Sequence, residues 1–357
     1  MKLLGKILYF PLLLAGILVA TVLVISGWSS HLYSPSFPIL SLAGMAFPAV
    51  FLANALFLLI FLLTCRRALP IPILAIILTI KPLLTYCPLN FKHVPVNADD
   101  SQLTFLSYNV HYFQCIGETC SDKDNPIIRY ISECPADIIC LQESNCGTVS
   151  KMIANDRKFQ SELKYVYNSD CTSVLSRWPI IGQRHEKFKD SNNDYFYCRI
   201  LKGDDTLAVY SCHFQSIGLK QNEIDDYNKL IAHPQDTSSI RGSKSAVSKI
   251  AAASIKRAEQ ADMVAELLDK ETARYIILCG DFNDTPLSYS HNVIASRLTD
   301  IYRKSGFGPG ISYHENRLYF RIDHAFCSSS LTPVSCRIDR SVKASDHYPV
   351  LSRLKFN

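Results

Sequence analysis

Residues 1–98 contain no aspartate or glutamate, and they carry three long apolar runs. Ile7–Trp28 has no charged residue and, at about 1.5 Å per helical residue, is long enough to cross roughly 30 Å of hydrocarbon. Phe37–Cys65 is longer still, and Leu69–Cys87 is interrupted only by Lys81 and Pro82 near its far end, where a lysine can reach the headgroup region. Three membrane spans are therefore expected. A cleaved signal peptide could also begin with Lys2 and Lys6, but its apolar stretch is about 7–15 residues, shorter than the first run.

The basic residues of this part set an expected orientation. Lys2 and Lys6 precede the first run, Arg66 and Arg67 separate the second from the third, and the loop around His31 has neither Lys nor Arg. By the positive-inside rule the N-terminus is cytoplasmic, and everything after Cys87 lies on the outer or periplasmic side of a multi-pass inner (plasma) membrane protein. Asn54 is the one mid-span polar candidate for a transport path. Such paths are usually marked by ionisable groups within the spans, so the runs read as an anchor.

The net charge of +5 belongs to residues 1–98, which hold six basic residues, while residues 99–357 hold 31 basic and 32 acidic ones. The larger part lacks the global basic footprint of a dedicated DNA binder. Residues 88–100 lose the apolar character and carry Pro, Asn and Asp, as a linker does. The expected organisation is an anchor over 1–87, a linker over 88–100 and a single domain over 101–357.

Within that domain, strand-like and helix-like stretches alternate. "LTFLSYNV", "ADIICLQE", "LAVYSCHFQ", "YIILCGDFN", "FRIDHAF" and "YPVLSRLKF" read as strands. "DNPIIRYISE" starts a helix with Asp124 or Asn125 as cap, and Lys244–Lys270 has helical spacing, giving a layered α/β domain. Of the 13 cysteines, Cys140, Cys212, Cys279 and Cys327 fall in apolar runs as small hydrophobes. Cys115, Cys120, Cys134, Cys146 and Cys171 lie in or near loop-like sequence, where one disulfide could form in an oxidising compartment. No CxxC pair supports a zinc site.

Six apolar runs meet polar residues able to bind metal or move protons: Asn109, Glu143, His213, Asp281 with Asn283, Asp323, and Asp346 with His347. One such residue is explained by turn chemistry alone. Six together imply convergence, and converging carboxylates repel one another unless a proton or cation offsets them. A hard divalent ion such as Mg²⁺, held by one or two carboxylates plus substrate phosphate oxygens, meets that need, with Mn²⁺ as a substitute.

The ordered set "YNV", "LQES", "HFQS", "GDFNDTP", "RIDHAF" and "SDHYPV" resembles the endonuclease/exonuclease/phosphatase superfamily (DNase I-like), and its bacterial membrane-anchored branch, over about residues 101–357. The resemblance implies a four-layer sandwich, two packed mixed β-sheets flanked by helices, with the site where strand ends meet. It implies Glu143 as the principal Mg²⁺ ligand, Asn109 nearby, and Asp346 on the metal or its water shell. It also implies that Asp281 orients or deprotonates water and that Asn283, pointed the same way by strand alternation, binds a phosphate oxygen. Asp323 fixes and charges His347, and His213 donates to the phosphate or leaving oxygen. Asp281 and His347 both remain candidates for the general base. His111 stands where apurinic endonucleases have an acidic metal-binding residue, and His324 replaces an expected apolar or aromatic residue. Arg177 is explained by packing as well as by phosphate contact, and Arg257 and Gln260 read as a solvated helix face.

The function these features imply is Mg²⁺-dependent hydrolysis of a phosphodiester or phosphomonoester, in a phospholipid headgroup or a nucleic acid, by an enzyme tethered to the lipid bilayer. No protein partner is implied. A non-catalytic scaffold that kept the fold is the alternative; loss of Glu143 or His347 would favour it, and both are present.

Overall fold

The computed structural model describes residues 2–91, 101–116, 120, 124–218, 237–315 and 318–357, with only the backbone described for 2–8 and 237–244. Most of the expected linker, residues 92–100, lies outside the described residues. The N-terminal part is helical: α1 (Lys2–Trp28), α2 (Ala43–Thr64), α3 (Pro70–Leu78) and α4 (Ile80–Tyr86). Two stretches, Tyr9–His31 and Leu40–Thr64, are long and apolar enough to cross a membrane; α3 and α4 form a third only as a pair bent by 55°. The bend follows from Pro82, which has no N–H to offer the carbonyl of Leu78 four residues back and crowds it. Trp28 Nε1 on α1 instead donates to that carbonyl at 3.0 Å, so the break is satisfied from a neighbouring helix. Asn54, buried on α2, donates from Nδ2 to the Pro72 carbonyl of α3 at 3.1 Å, a packing role between helices.

The rest forms two six-stranded sheets. The first has the order β11 (Leu331–Ile338), β12 (Val350–Phe356), β1 (Gln102–Asn109), β2 (Ile138–Gln142), β4 (Thr172–Ser176), β3 (Tyr165–Asn168). The second has the order β5 (Ile180–Lys187), β6 (Asp194–Lys202), β7 (Asp205–His213), β8 (Tyr275–Asp281), β10 (Asp323–Cys327), β9 (Thr299–Asp300). Period-two alternation distributes each strand between two cores. Leu103 and Phe105 of β1 meet Val209 of β7 and Ile277 of β8 between the sheets, whereas Leu106 and Tyr108 face α5 (Pro126–Glu133) and α6 (Cys146–Asn155) outside. On the other flank, Ala208 and Leu278 pack against Ala261 and Val264 of the long helix after β7, Thr237–Lys270. The layers are helix, sheet, sheet, helix, as expected.

The expected helix start at α5 is capped by Asn125, whose side chain accepts from the Ile127 N–H. Cys140, Cys279 and Cys327 fill the inter-sheet core, and Cys212 the outer one. Cys115 and Cys120 form a disulfide.

Gly280 of β8 lies close against the backbone of β7. Its φ is +136°, and a Cβ there would lie 2.0 Å from the carbonyl oxygen of Cys212 on β7. The obstruction is backbone, which cannot rotate away. Gly280→Ala should therefore cost about 3 kcal/mol or more, lowering the thermal midpoint by roughly 6–12 °C for a domain of this size. An unchanged midpoint in a thermal melt would show that the strands can part.

Candidate active site

In each sheet two parallel strands end side by side, and an antiparallel third begins beside them. β1 and β2 run parallel with Asn109 opposite Gln142, while β12 runs back from just after Asp346 and His347. β7 and β8 run parallel with His213 opposite Asp281, and β10 starts with Asp323 opposite Asp281. Asp323 is thus the first residue of its strand rather than an interruption of one. Because the sheets pack face to face, the polar ends from both converge.

Asp281 is at the centre. Its Oδ2 accepts from Asn109 Nδ2 at 3.1 Å, and it lies 3.8 Å from His213 Nε2 and 3.6 Å from His347 Nε2. Asn109 Nδ2 also donates to Glu143 Oε1 at 3.1 Å, and His213 Nε2 stands 3.5 Å from the same oxygen. His347 Nδ1 is 2.7 Å from Asp323 Oδ2. Ligand atoms of Glu143, His213 and Asp281 lie within 4.8 Å of one another, as do those of Asp281, Asp323 and His347, so Asp281 belongs to both groups.

Burial raises the Asp281 carboxyl to about 6, opposed by the His347 imidazole and reinforced by the Asp323 charge. Burial alone would lower His347, but the carboxylates of Asp323 and Asp281 and the Asp323 hydrogen bond hold it well above the usual histidine range. The site pairs a carboxylate that binds a proton readily with an imidazole that keeps one.

Two of these residues sit in left-handed backbone, Glu143 at φ 49° and Asn283 at φ 51°. Strand alternation therefore does not aim Asn283. A turn does: its N–H donates to Asp281 Oδ1 at 2.8 Å, and Nδ2 donates to the Phe214 carbonyl at 3.0 Å and to Asp281 Oδ2 at 3.3 Å. Non-glycine residues in this region are strained and cluster at functional sites.

The carboxylate oxygens of Glu143 and Asp281, whose group's ligand atoms lie within 4.8 Å of one another, fit a hard divalent cation. His213 Nε2 is buried without a hydrogen-bond partner among the described residues and stands between the carboxylates of Glu143 and Asp281. An orphaned buried nitrogen beside two anionic oxygens is costly unless a ligand or proton completes the site. Asp346 stands outside both groups; its Oδ1 lies 3.2 Å from Ser345 Oγ, whose one hydroxyl proton has the nearer Asn109 carbonyl as acceptor.

The endonuclease/exonuclease/phosphatase family profile matches residues 106–347, about two thirds of the sequence. The chain belongs to that family. Residues 6–86 match a domain of unknown function (DUF8431). D. rerio TDP2, in a complex with single strand DNA product, shares the fold at 15% identity and a TM-score of 0.52, over 71% of this chain and 99% of that one. An endonuclease/exonuclease/phosphatase family protein from Bacteroides thetaiotaomicron aligns at 18% identity and a TM-score of 0.48, over 72% and 95% of the two chains. No curated protein matches the sequence significantly.

The cluster is braced by residues that the sequence pattern did not single out as buried. Arg257 and Gln260 are buried rather than solvated, at 1% and 5% exposure. Arg257 pairs with Asp284 at 3.0 Å and donates to the Gln215 carbonyl, and Gln260 accepts from the Gln215 N–H at 2.7 Å. The long helix thereby clamps both the segment after His213 and the turn after Asp281. Ser345 Oγ donates to the Asn109 carbonyl at 2.8 Å, and Ser312 Oγ accepts from the N–H of Asp323 at 3.1 Å. Ser345 sits inside the "SDH" motif and was findable; Ser312 carries no local signal. His324 is a core residue, its Nε2 2.8 Å from the Asp284 carbonyl and its ring beside Phe282. Burial and the neighbouring His291 keep it neutral, well below the usual histidine range. Arg177 pairs with Asp137 at 2.8 Å, a turn-packing role.

Proposed function

We propose that this chain is a membrane-anchored, Mg²⁺-dependent phosphoesterase that hydrolyses a phosphodiester or phosphomonoester of a lipid headgroup or nucleic acid by in-line attack of water. The observation that carries the reading is Asp281, shared between the Glu143–His213 group and the His347–Asp323 pair. Asp281 orients the attacking water and takes its proton, its affinity for one raised by burial. Asp323 holds His347 charged, so the imidazolium faces the phosphoryl oxygens. His213 offers its unpartnered Nε2 to the leaving oxygen, and Asn283 steadies a phosphoryl oxygen. Glu143, with Asn109 and the water shell near Asp346, would hold the cation. When bound, the cation neutralises charge developing on the phosphoryl group.

The test uses the full chain in detergent, because the helices and the domain share contacts: Arg321 donates to the Thr85 carbonyl, and Asn90 to the carbonyls of Arg303 and Gly306. Sphingomyelin, phosphatidylinositol phosphates, DNA, RNA and an aryl phosphodiester are assayed with Mg²⁺ and with chelator. Mg²⁺-dependent release of product from at least one supports the reading. No turnover of any, in folded protein, leaves the scaffold reading standing.

The orientation is a separate expectation. A reporter active only outside the cytoplasm should work when fused after residue 98 and stay silent when fused after Arg67, because Lys2, Lys6, Arg66 and Arg67 fall on one side of the spans. The opposite pattern would put the domain inside the cell.

A further inference from the structure

The helical part does not merely trail from the domain; it closes a cavity against it. Ser29 Oγ at the end of α1 lies 3.2 Å from the Leu287 carbonyl and 2.9 Å from that of Ser26, sharing its one proton between them, and Gly44 of α2 leaves space for the Leu287 carbonyl, which would lie 2.6 Å from an added Cβ. Leu287 is six residues from Asp281, so the loop that leaves the catalytic aspartate forms part of the joint.

Beside this joint lies a cavity of about 470 Å³. Trp28 and Lys81 line it from the helices, and Leu287, Asp300, Arg303 and Lys304 from the domain. Its charge is unbalanced. Lys81, Arg303 and Lys304 have no ion-pair partner among the described residues, and Lys81 Nζ rests 6.0 Å over the Trp28 ring. The lining carboxylate, Asp300, is already committed: Oδ2 lies 3.1 Å from His291 Nε2, and Oδ1 accepts from the Arg303 N–H at 2.9 Å. Three cations thus face a space in which the acid is taken.

The place of the cavity identifies the ligand. It sits where α1 ends beside the break between α3 and α4, with Trp28 on the Leu78 carbonyl and Lys81 just past the break. The end of a spanning helix marks the level where it leaves hydrocarbon, and Trp and Lys are the residues that settle at that level. Phosphate groups of the bilayer occupy the same depth, and basic pockets beside spanning helices bind anionic headgroups. We infer that this cavity between the helices and the catalytic domain binds the headgroup of an anionic glycerophospholipid, with Lys81, Arg303 and Lys304 on the phosphate and Trp28 at the edge of the acyl chains.

This inference rests on the membrane-anchored reading above, and the experiment separates the two. The chain has two tryptophans, so Trp178→Phe leaves Trp28 as the sole reporter. The full-length Trp178→Phe protein, in neutral detergent micelles, is titrated with phosphatidylglycerol, with phosphatidylcholine and with inorganic phosphate, following Trp28 emission. A saturable change is expected with phosphatidylglycerol at much lower lipid content than with phosphatidylcholine. Arg303→Gln with Lys304→Gln should weaken the phosphatidylglycerol response about thirtyfold, from roughly one screened charge contact each. Emission before lipid is added should stay the same, a check that the joint is intact. Equal responses to the two lipids, or an undiminished response in the double variant, would overturn the inference. An equal response to inorganic phosphate alone would do so too, by assigning the cavity to the free ion. Carbonate extraction of cell membranes checks the underlying reading independently: a chain released from them is not an anchored one, whereas a retained chain without lipid preference refutes only the headgroup site.

Discussion

Glu143→Gln should lower kcat about a hundredfold or more while the protein stays folded. The substitution keeps the shape of the side chain and an oxygen able to accept from Asn109 Nδ2, which now lies 3.1 Å from Oε1. It removes the negative charge that a hard cation needs. Glu143 is partly exposed in its side chain, at 22%, so the loss leaves no buried orphan to destabilise the core. A second readout does not depend on turnover. Anything that binds the folded state alone raises its apparent stability by mass action. Mg²⁺ should therefore raise the thermal midpoint of the wild-type protein and leave that of Glu143→Gln nearly unmoved. If the variant keeps both full activity and the Mg²⁺-induced rise, Glu143 does not hold the metal.

The site was legible because of how parallel strands work. A parallel strand covered on both faces reads as a short apolar run, so the residue that ends it stands out, as Glu143 does after "IICLQ" and Asp281 after "YIILCG". The antiparallel partner brings its polar residue at the start, which is why Asp323 looked like a break inside "FRIDHAF". The helix bearing Arg257 and Gln260 was harder to read. Charged and polar residues on a helix are ordinarily solvated, and only the fold shows that this face lies on two loops carrying Gln215 and Asp284. Asn283 was placed correctly beside Asp281 for the wrong reason, since two-residue spacing is shared by a strand and by a left-handed turn, and φ cannot be read from residue type. The joint at Leu287 had no sequence signal, because Ser29, Gly44 and Leu287 are ordinary residues for the ends of apolar helices and a loop.

Asp323→Asn and His347→Ala, combined in a cycle, should behave as one lesion. His347→Ala removes the imidazole and should cost about 10²–10⁴-fold in kcat. Asp323→Asn leaves the ring but takes away the charge 2.7 Å from Nδ1, so the imidazole loses both its orientation and its hold on a proton. It should cost most of the same factor, and the double variant should be little worse than His347→Ala, because residues that act as a unit are not additive. Stability provides the control. The raised pKa of His347 means that its charged form stabilises the fold fully below the unfolded value of about 6.5. That contribution fades only as pH rises through the higher folded-state value. The wild-type advantage in thermal midpoint over Asp323→Asn should therefore be largest below that pH and shrink on the alkaline side. If Asp323 were only a satisfied strand-end carboxylate, the midpoint would fall without a matching loss of kcat. If the kcat losses multiplied in the double variant, the two residues would be acting independently and the pairing would have no part in the chemistry.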